Sequence, residues 1–168
     1  IPNTSTPSPT ETPTPLACST QPGVIKEGVV SSTNPPQEFL IYLPPCYQEL
    51  GDIRYPVLYL LHGQTYTQDQ WIRLGVPNIA DQLIHSGEVS PFMIVLPNDP
   101  YWNLQAGAGF GDRLIKDLIP FVDQNYRTLA DCSHRSLGGL SRGGGERLQV
   151  WESLAPLGQR RPGGNQIR

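Results

Sequence analysis

Hydrophobic and polar positions alternate along Val24 to Ser31 and again along Gln37 to Leu43, the period of two expected of strands with one covered face. Asn34-Pro35-Pro36 between them is a turn signal, so the two segments predict adjoining strands. The pattern then changes. Val57-Leu58-Tyr59-Leu60-Leu61 and Phe92-Met93-Ile94-Val95-Leu96 are continuously apolar, which predicts strands covered on both faces, the second ended by Pro97. Between them, Ile79, Leu83 and Ile84 share one face of a helix over Asn78 to Ser86, with Gly87 as its stop. Leu114, Ile115, Leu118, Ile119 and Val122 keep helical spacing within Phe110 to Asn125, where Pro120 demands a kink or a restart. Arg135 to Leu140 reads as a third buried strand, followed by a sharp, glycine-rich turn.

Strand, helix, strand, helix, strand is the pattern of an α/β domain: a parallel sheet with covering helices. Right-handed crossovers put the carboxyl ends of the three apolar strands on one edge. Functional loops are therefore expected after Leu61, Leu96 and Leu140. Three regions are expected, residues 1–22, 23–145 and 146–168, the last boundary implied by the family resemblance given below. Twelve of the first fifteen residues are Pro, Thr or Ser. Such a tract has almost nothing to bury and favours extended geometry, so 1–22 reads as a solvated stalk or linker, or else as a frayed terminus. Asn3-Thr4-Ser5 within it matches an N-glycosylation sequon, a weak signal by itself.

A net charge of -3 with no run of Lys or Arg argues against nucleic acid or an anionic membrane surface as the main partner. The longest apolar runs are strand-length, so no transmembrane segment is expected. A stalk of this kind suits an extracytoplasmic domain, secreted or tethered to a surface. Three cysteines leave two readings open. A bridge between Cys18 and Cys46 would pin the start of the fold to the sheet and contribute about 3–4 kcal/mol; Cys132 would be left over. Alternatively all three are reduced.

Gly139-Leu140-Ser141-Arg142-Gly143 is a G-x-S-x-G sequence. Its glycines let the chain turn tightly from strand to helix, so that the serine hydroxyl stands clear at the sheet edge. Acyl transfer builds negative charge on a carbonyl oxygen, and two backbone N–H groups must already point at it. The amide of Arg142, just after the candidate nucleophile Ser141, is one expected donor. The amide of Gln64, in Leu60-Leu61-His62-Gly63-Gln64, is the other. His62 then belongs to this turn as a structural residue.

The residues resembling a known family are Tyr55-Pro56-Val57-Leu58-Tyr59-Leu60-Leu61-His62-Gly63, Trp71, Asp117-Leu118-Ile119-Pro120-Phe121-Val122-Asp123 with Tyr126-Arg127-Thr128, and His134 through Gly144. In this order they resemble the esterase D family, which spans S-formylglutathione hydrolases, feruloyl and other carbohydrate esterases, enterochelin esterases and mycolyltransferases. The resemblance covers roughly residues 24 to 145. It implies an α/β-hydrolase fold, no metal or other cofactor, and hydrolysis of a small-molecule or carbohydrate ester through a serine acyl-enzyme on Ser141. Trp71 resembles a position near the acyl pocket, with an ordinary core tryptophan as the alternative.

In this fold the triad continues with an acid and then a histidine. The 27 residues after Ser141 contain neither Asp nor His. Glu146 and Glu152 are expected on the helix after the elbow, away from the acid's place. The tail 146–168 also departs from the family, as though the chain were cut short or read out of frame. The expected incomplete α/β-hydrolase fold leaves the Arg135–Leu140 strand as an open, self-associating edge, and the chain alone inactive or feebly active. An acyltransferase of the same fold, and a non-catalytic binding or scaffolding module, remain the rivals.

Overall fold

A computed structural model describes residues 16–99 and 109–145; the stalk through Pro15 and the tail from Glu146 lie outside the described residues. Five strands form one sheet there: β1 (Val24–Val30), β2 (Gln37–Leu43), β3 (Val57–Leu61), β4 (Met93–Pro97) and β5 (Arg135–Gly139), in the order β1-β2-β4-β3-β5. β1 and β2 are antiparallel, and β2 is antiparallel to β4. The strands β4, β3 and β5 are parallel neighbours, so their carboxyl ends share one edge.

The alternation of the strands sorts their side chains into two apolar layers. Phe39, Ile41 and Leu43 of β2, Val57, Tyr59 and Leu61 of β3, and Met93 and Val95 of β4 face one way. They pack against Phe110 of α3 (Phe110–Arg113), Leu114 and Leu118 of a π-helical stretch, and Ile119 and Val122 of α4 (Ile119–Asn125). On the other face Tyr42, Leu58, Leu60, Ile94 and Leu96 meet Trp71 and Ile72 of α1 (Gln70–Arg73) and Val76, Ala80 and Ile84 of α2 (Val76–His85). Each leucine or isoleucine buried this way contributes roughly 1.5–3 kcal/mol, so two-sided coverage of β3 and β4 is the main reason for their apolar runs.

Several details differ from the sequence reading. α2 starts at Val76, two residues early, because Gly75 at φ 79° turns the chain and Pro77 sits in the first turn, where its missing N–H is harmless. β4 starts one residue late, at Met93, and Pro97, expected just beyond the strand, is its last residue, opposite Phe39. The strand expected to be buried on both faces, β5, is a half-buried strand that pairs only with β3 among the described residues. With one neighbour, apolar character alone cannot bury it.

The start of the described chain is held by a disulfide and by hydrogen bonds to α2. Ala17–Thr20 form a short 3₁₀ turn, and Cys18 is disulfide-bonded to Cys46, just past β2. Asp81 of α2 accepts hydrogen bonds from the Gly23 N–H at 2.8 Å and the Tyr42 hydroxyl at 2.6 Å. Burial, reinforced by the Asp81 carboxylate, pushes the Tyr42 hydroxyl far above the usual phenol range, so it remains a donor.

Candidate active site

At the carboxyl end of β5 the Leu140 N–H bonds to the Leu61 carbonyl at 3.2 Å, keeping the strand in register with β3 up to the turn. Ser141 then adopts φ 54°, the left-handed region that non-glycine residues rarely occupy. Residues 142–145 are helical, and the Gly144 N–H returns to the Ser141 carbonyl at 3.0 Å. The sequence explains why so tight a turn is possible. A Cβ on Gly139 would lie 2.4 Å from the backbone of Gly143, and one on Gly143 would lie 2.6 Å from the Leu61 carbonyl oxygen. Only glycine at both places lets helix and strands touch. Ser141 is left exposed to solvent at the sheet edge.

The segment after β3 lies directly beside this elbow. A side-chain carbon placed on Gly63 would stand 3.6 Å from the Leu140 carbonyl oxygen. Gly63 to Tyr66 form a turn closed by the Tyr66 N–H on the Gly63 carbonyl at 3.2 Å, with Gln64 at its first corner. The Gly63 N–H itself is taken by the buried Gln70 side chain, whose Oε1 accepts it at 2.7 Å. That N–H is therefore engaged within the protein itself. On the elbow side, Arg142 opens the helical residues 142–145 directly after Ser141. The turn after β3 and the elbow thus meet beside the exposed Ser141, the arrangement in which backbone N–H groups from two segments can converge on one oxygen.

His62 is buried, and both ring nitrogens are engaged. Nδ1 lies 2.8 Å from the Gly63 carbonyl, to which it donates, and Nε2 accepts the Asp99 N–H at 2.9 Å. This fixes one neutral tautomer and removes His62 as a candidate base. Asp99 in turn is ion-paired with the Arg142 guanidinium. The other histidines are remote. His134 precedes β5, a strand whose length at about 3.3 Å per residue separates it from Ser141; His85 ends α2 and contacts the Gln21 carbonyl at 3.2 Å. Trp71 is half-buried within the Tyr42–Ala80–Ile94–Leu96 layer, where it packs as core. Gln70 and Asp99 were not singled out from the sequence. Asp99 nevertheless falls in a loop where function was expected, just past β4.

Burial pushes the His62 imidazole below its ordinary range. The unfolded chain takes up a proton near pH 6.5 that the folded chain resists. Stability is therefore complete above that pH and declines as pH falls from about 6.5 through the lowered His62 value. Urea midpoints measured from pH 7.5 to 5 should fall, and His62→Gln should flatten that slope. Asp131 separates cleanly from this effect. Hydrogen bonds from Ser133 and His134 hold its carboxyl at about 2, so its contribution disappears only between the ordinary 3.8 and that value.

A parallel strand core with helices on both faces, and a serine at a strand-to-helix elbow, defines an α/β-hydrolase fold, of which the described residues form part. Residues 31–148 match the family described as "Putative esterase", and the chain belongs to that esterase family. Over 126 residues it is 36% identical to the "Endo-1,4-beta-xylanase/feruloyl esterase" of Xylanibacter ruminicola, covering 68% of this chain and 17% of that protein. Among solved structures, a ferulic acid esterase superposes with a TM-score of 0.71 at 28% identity, covering 79% of this chain and 56% of the other. A mutant of the feruloyl esterase module from Clostridium thermocellum, complexed with sinapinate, gives 0.68 at 25% identity, covering 84% and 54%. The chain thus spans under a fifth of that curated relative and just over half of these solved chains.

Proposed function

We propose that this chain carries the nucleophile and oxyanion hole of a secreted serine esterase that acts on hydroxycinnamoyl esters such as those of ferulic acid. The observation that carries the reading is Ser141, exposed at φ 54° between glycines that admit no side chain and beside the Gly63 turn. Its hydroxyl attacks the ester carbonyl, and the Gln64 and Arg142 amides receive the charge that develops on oxygen. The alcohol departs, leaving an acyl-enzyme that water hydrolyses. The ester class is supported by the feruloyl esterases among the similar proteins. The Cys18–Cys46 disulfide and the Pro/Thr/Ser-rich first residues support an oxidising, extracytoplasmic setting.

Among the described residues no imidazole is placed to take the Ser141 proton. His62 has both nitrogens occupied, and neither His nor Asp follows Ser141 in the sequence. A site reduced to its oxyanion hole and binding surface retains about 10³–10⁴-fold acceleration over water. p-Nitrophenyl acetate should therefore be hydrolysed slowly but above buffer, with acetyl found on Ser141 by mass spectrometry and the excess rate lost in Ser141→Ala. An unchanged rate in Ser141→Ala would assign the reaction to another group. The engagement of both His62 nitrogens favours a second reading, a non-catalytic binding module, and an absence of any acetyl-serine would select it.

A further inference from the structure

We propose that Asp99 is a positioning residue for the oxyanion hole, clamping the elbow and the Gly63 turn together through its two ends. The inference rests on the oxyanion reading above and adds to it the part that keeps the two donors in place. The side chain and backbone of Asp99 act on different segments. Its carboxylate pairs with the Arg142 guanidinium, the residue whose amide follows Ser141. Its backbone N–H is accepted by His62 Nε2, and His62 Nδ1 donates to the Gly63 carbonyl, the peptide group that also carries the Gln64 N–H. On the far side, Gln70 Oε1 holds the Gly63 N–H. One continuous polar path thus runs from Gln70 through Gly63, His62 and Asp99 to Arg142.

The placement makes this more than a surface ion pair. The Asp99 side chain is only 3% exposed and that of Arg142 only 19%, so the attraction is weakly screened and strongly directional. Asp99 follows the end of β4, while Ser141 follows β5 and Gly63 follows β3; β3 lies between the other two strands. Backbone pairing fixes the strands but leaves the loops beyond their ends to be set by contacts among the loops. Two N–H groups from separate loops must converge on one oxygen, and displacement by about 1 Å is enough to lose much of their effect.

The test uses the rate of Ser141 acetylation by p-nitrophenyl acetate, with KM separated from the maximal rate. The double variant Asp99→Asn with Arg142→Met removes both charges, so no buried charge is left unpaired and the fold should survive, as checked by near-UV circular dichroism and melting. Its maximal acetylation rate should fall about 10- to 100-fold with KM little changed, a smaller loss than the roughly 10²–10³-fold of deleting a donor outright. Arg142→Lys, which keeps a charge for Asp99, should recover part of that rate. A folded double variant that acetylates Ser141 as fast as the parent overturns the clamp while leaving the serine reading intact. Failure of the parent itself to acetylate Ser141 overturns both.

Discussion

Gly143→Ala is expected to abolish acetylation of Ser141 and to destabilise the chain by about 3 kcal/mol or more, the upper end of overpacking in a rigid surrounding. The added methyl would meet the Leu61 carbonyl oxygen at 2.6 Å and that of His62 at 2.7 Å. Both are backbone atoms at the end of β3, so neither has a rotamer into which to withdraw. Relief requires the helix after Ser141 to lift away from β3, which displaces the Arg142 amide from the Gly63 turn. Urea denaturation combined with acetylation mass spectrometry measures both effects. Gly145→Ala is the control, because a Cβ there meets nothing within 4 Å. Equal behaviour of the two variants would remove close packing as the reason for glycine at 143.

Opening the Cys18–Cys46 disulfide is expected to be the other large loss, about 3–4 kcal/mol for a 28-residue separation. In a domain of this size that corresponds to a fall in Tm of about 10 °C or more. The strand it secures is poorly held otherwise. β1 exposes Val24, Ile25 and Val29, and of its seven residues only Val30 is buried. Without the bridge, its anchors include the ladder to β2, the Gly23 bond to Asp81, the Gln21 contact with His85 and the buried Val30. Cys18→Ser with Cys46→Ser should therefore melt earlier than the parent, with amide exchange accelerating first in β1. Melting at the parental temperature would show that the ladder suffices.

The fold was legible where a short-range pattern encodes it. β3 and β4 announce themselves by apolar runs because both faces are covered, and the elbow announces itself because its backbone requires glycines at fixed offsets. Pro120 signalled a break, but its form was not legible. The Ile119 N–H reaches back five residues to the Leu114 carbonyl, a widened turn that sets up Pro120 in the first turn of α4 without a lost hydrogen bond. The edge position of β5 was legible only through the family resemblance, since whether a strand is covered depends on what lies beside it, which its own residues do not state. The same applies within the site. Ser141 is a local motif, whereas Asp99 and Arg142 meet across 43 positions and Tyr42 and Asp81 across 39. Ordinary polar residues gain those roles only when the chain folds. The Cys18–Cys46 pair lay between, since sequence offered the pairing as one of two options and the structure contains it.

Cys132 offers a handle on the molecule's orientation. It is an exposed, unbridged thiol in the short 3₁₀ turn before β5. Ser141 lies beyond the other end of that strand, about five strand residues or roughly 16 Å away along its axis. A maleimide-coated support would thus grip the protein by the amino-terminal edge of its parallel strands. The elbow and the Gly63 turn would face outward from every immobilised molecule, and a layer coupled through Cys132 would present Ser141 uniformly to an insoluble, polymer-bound ester.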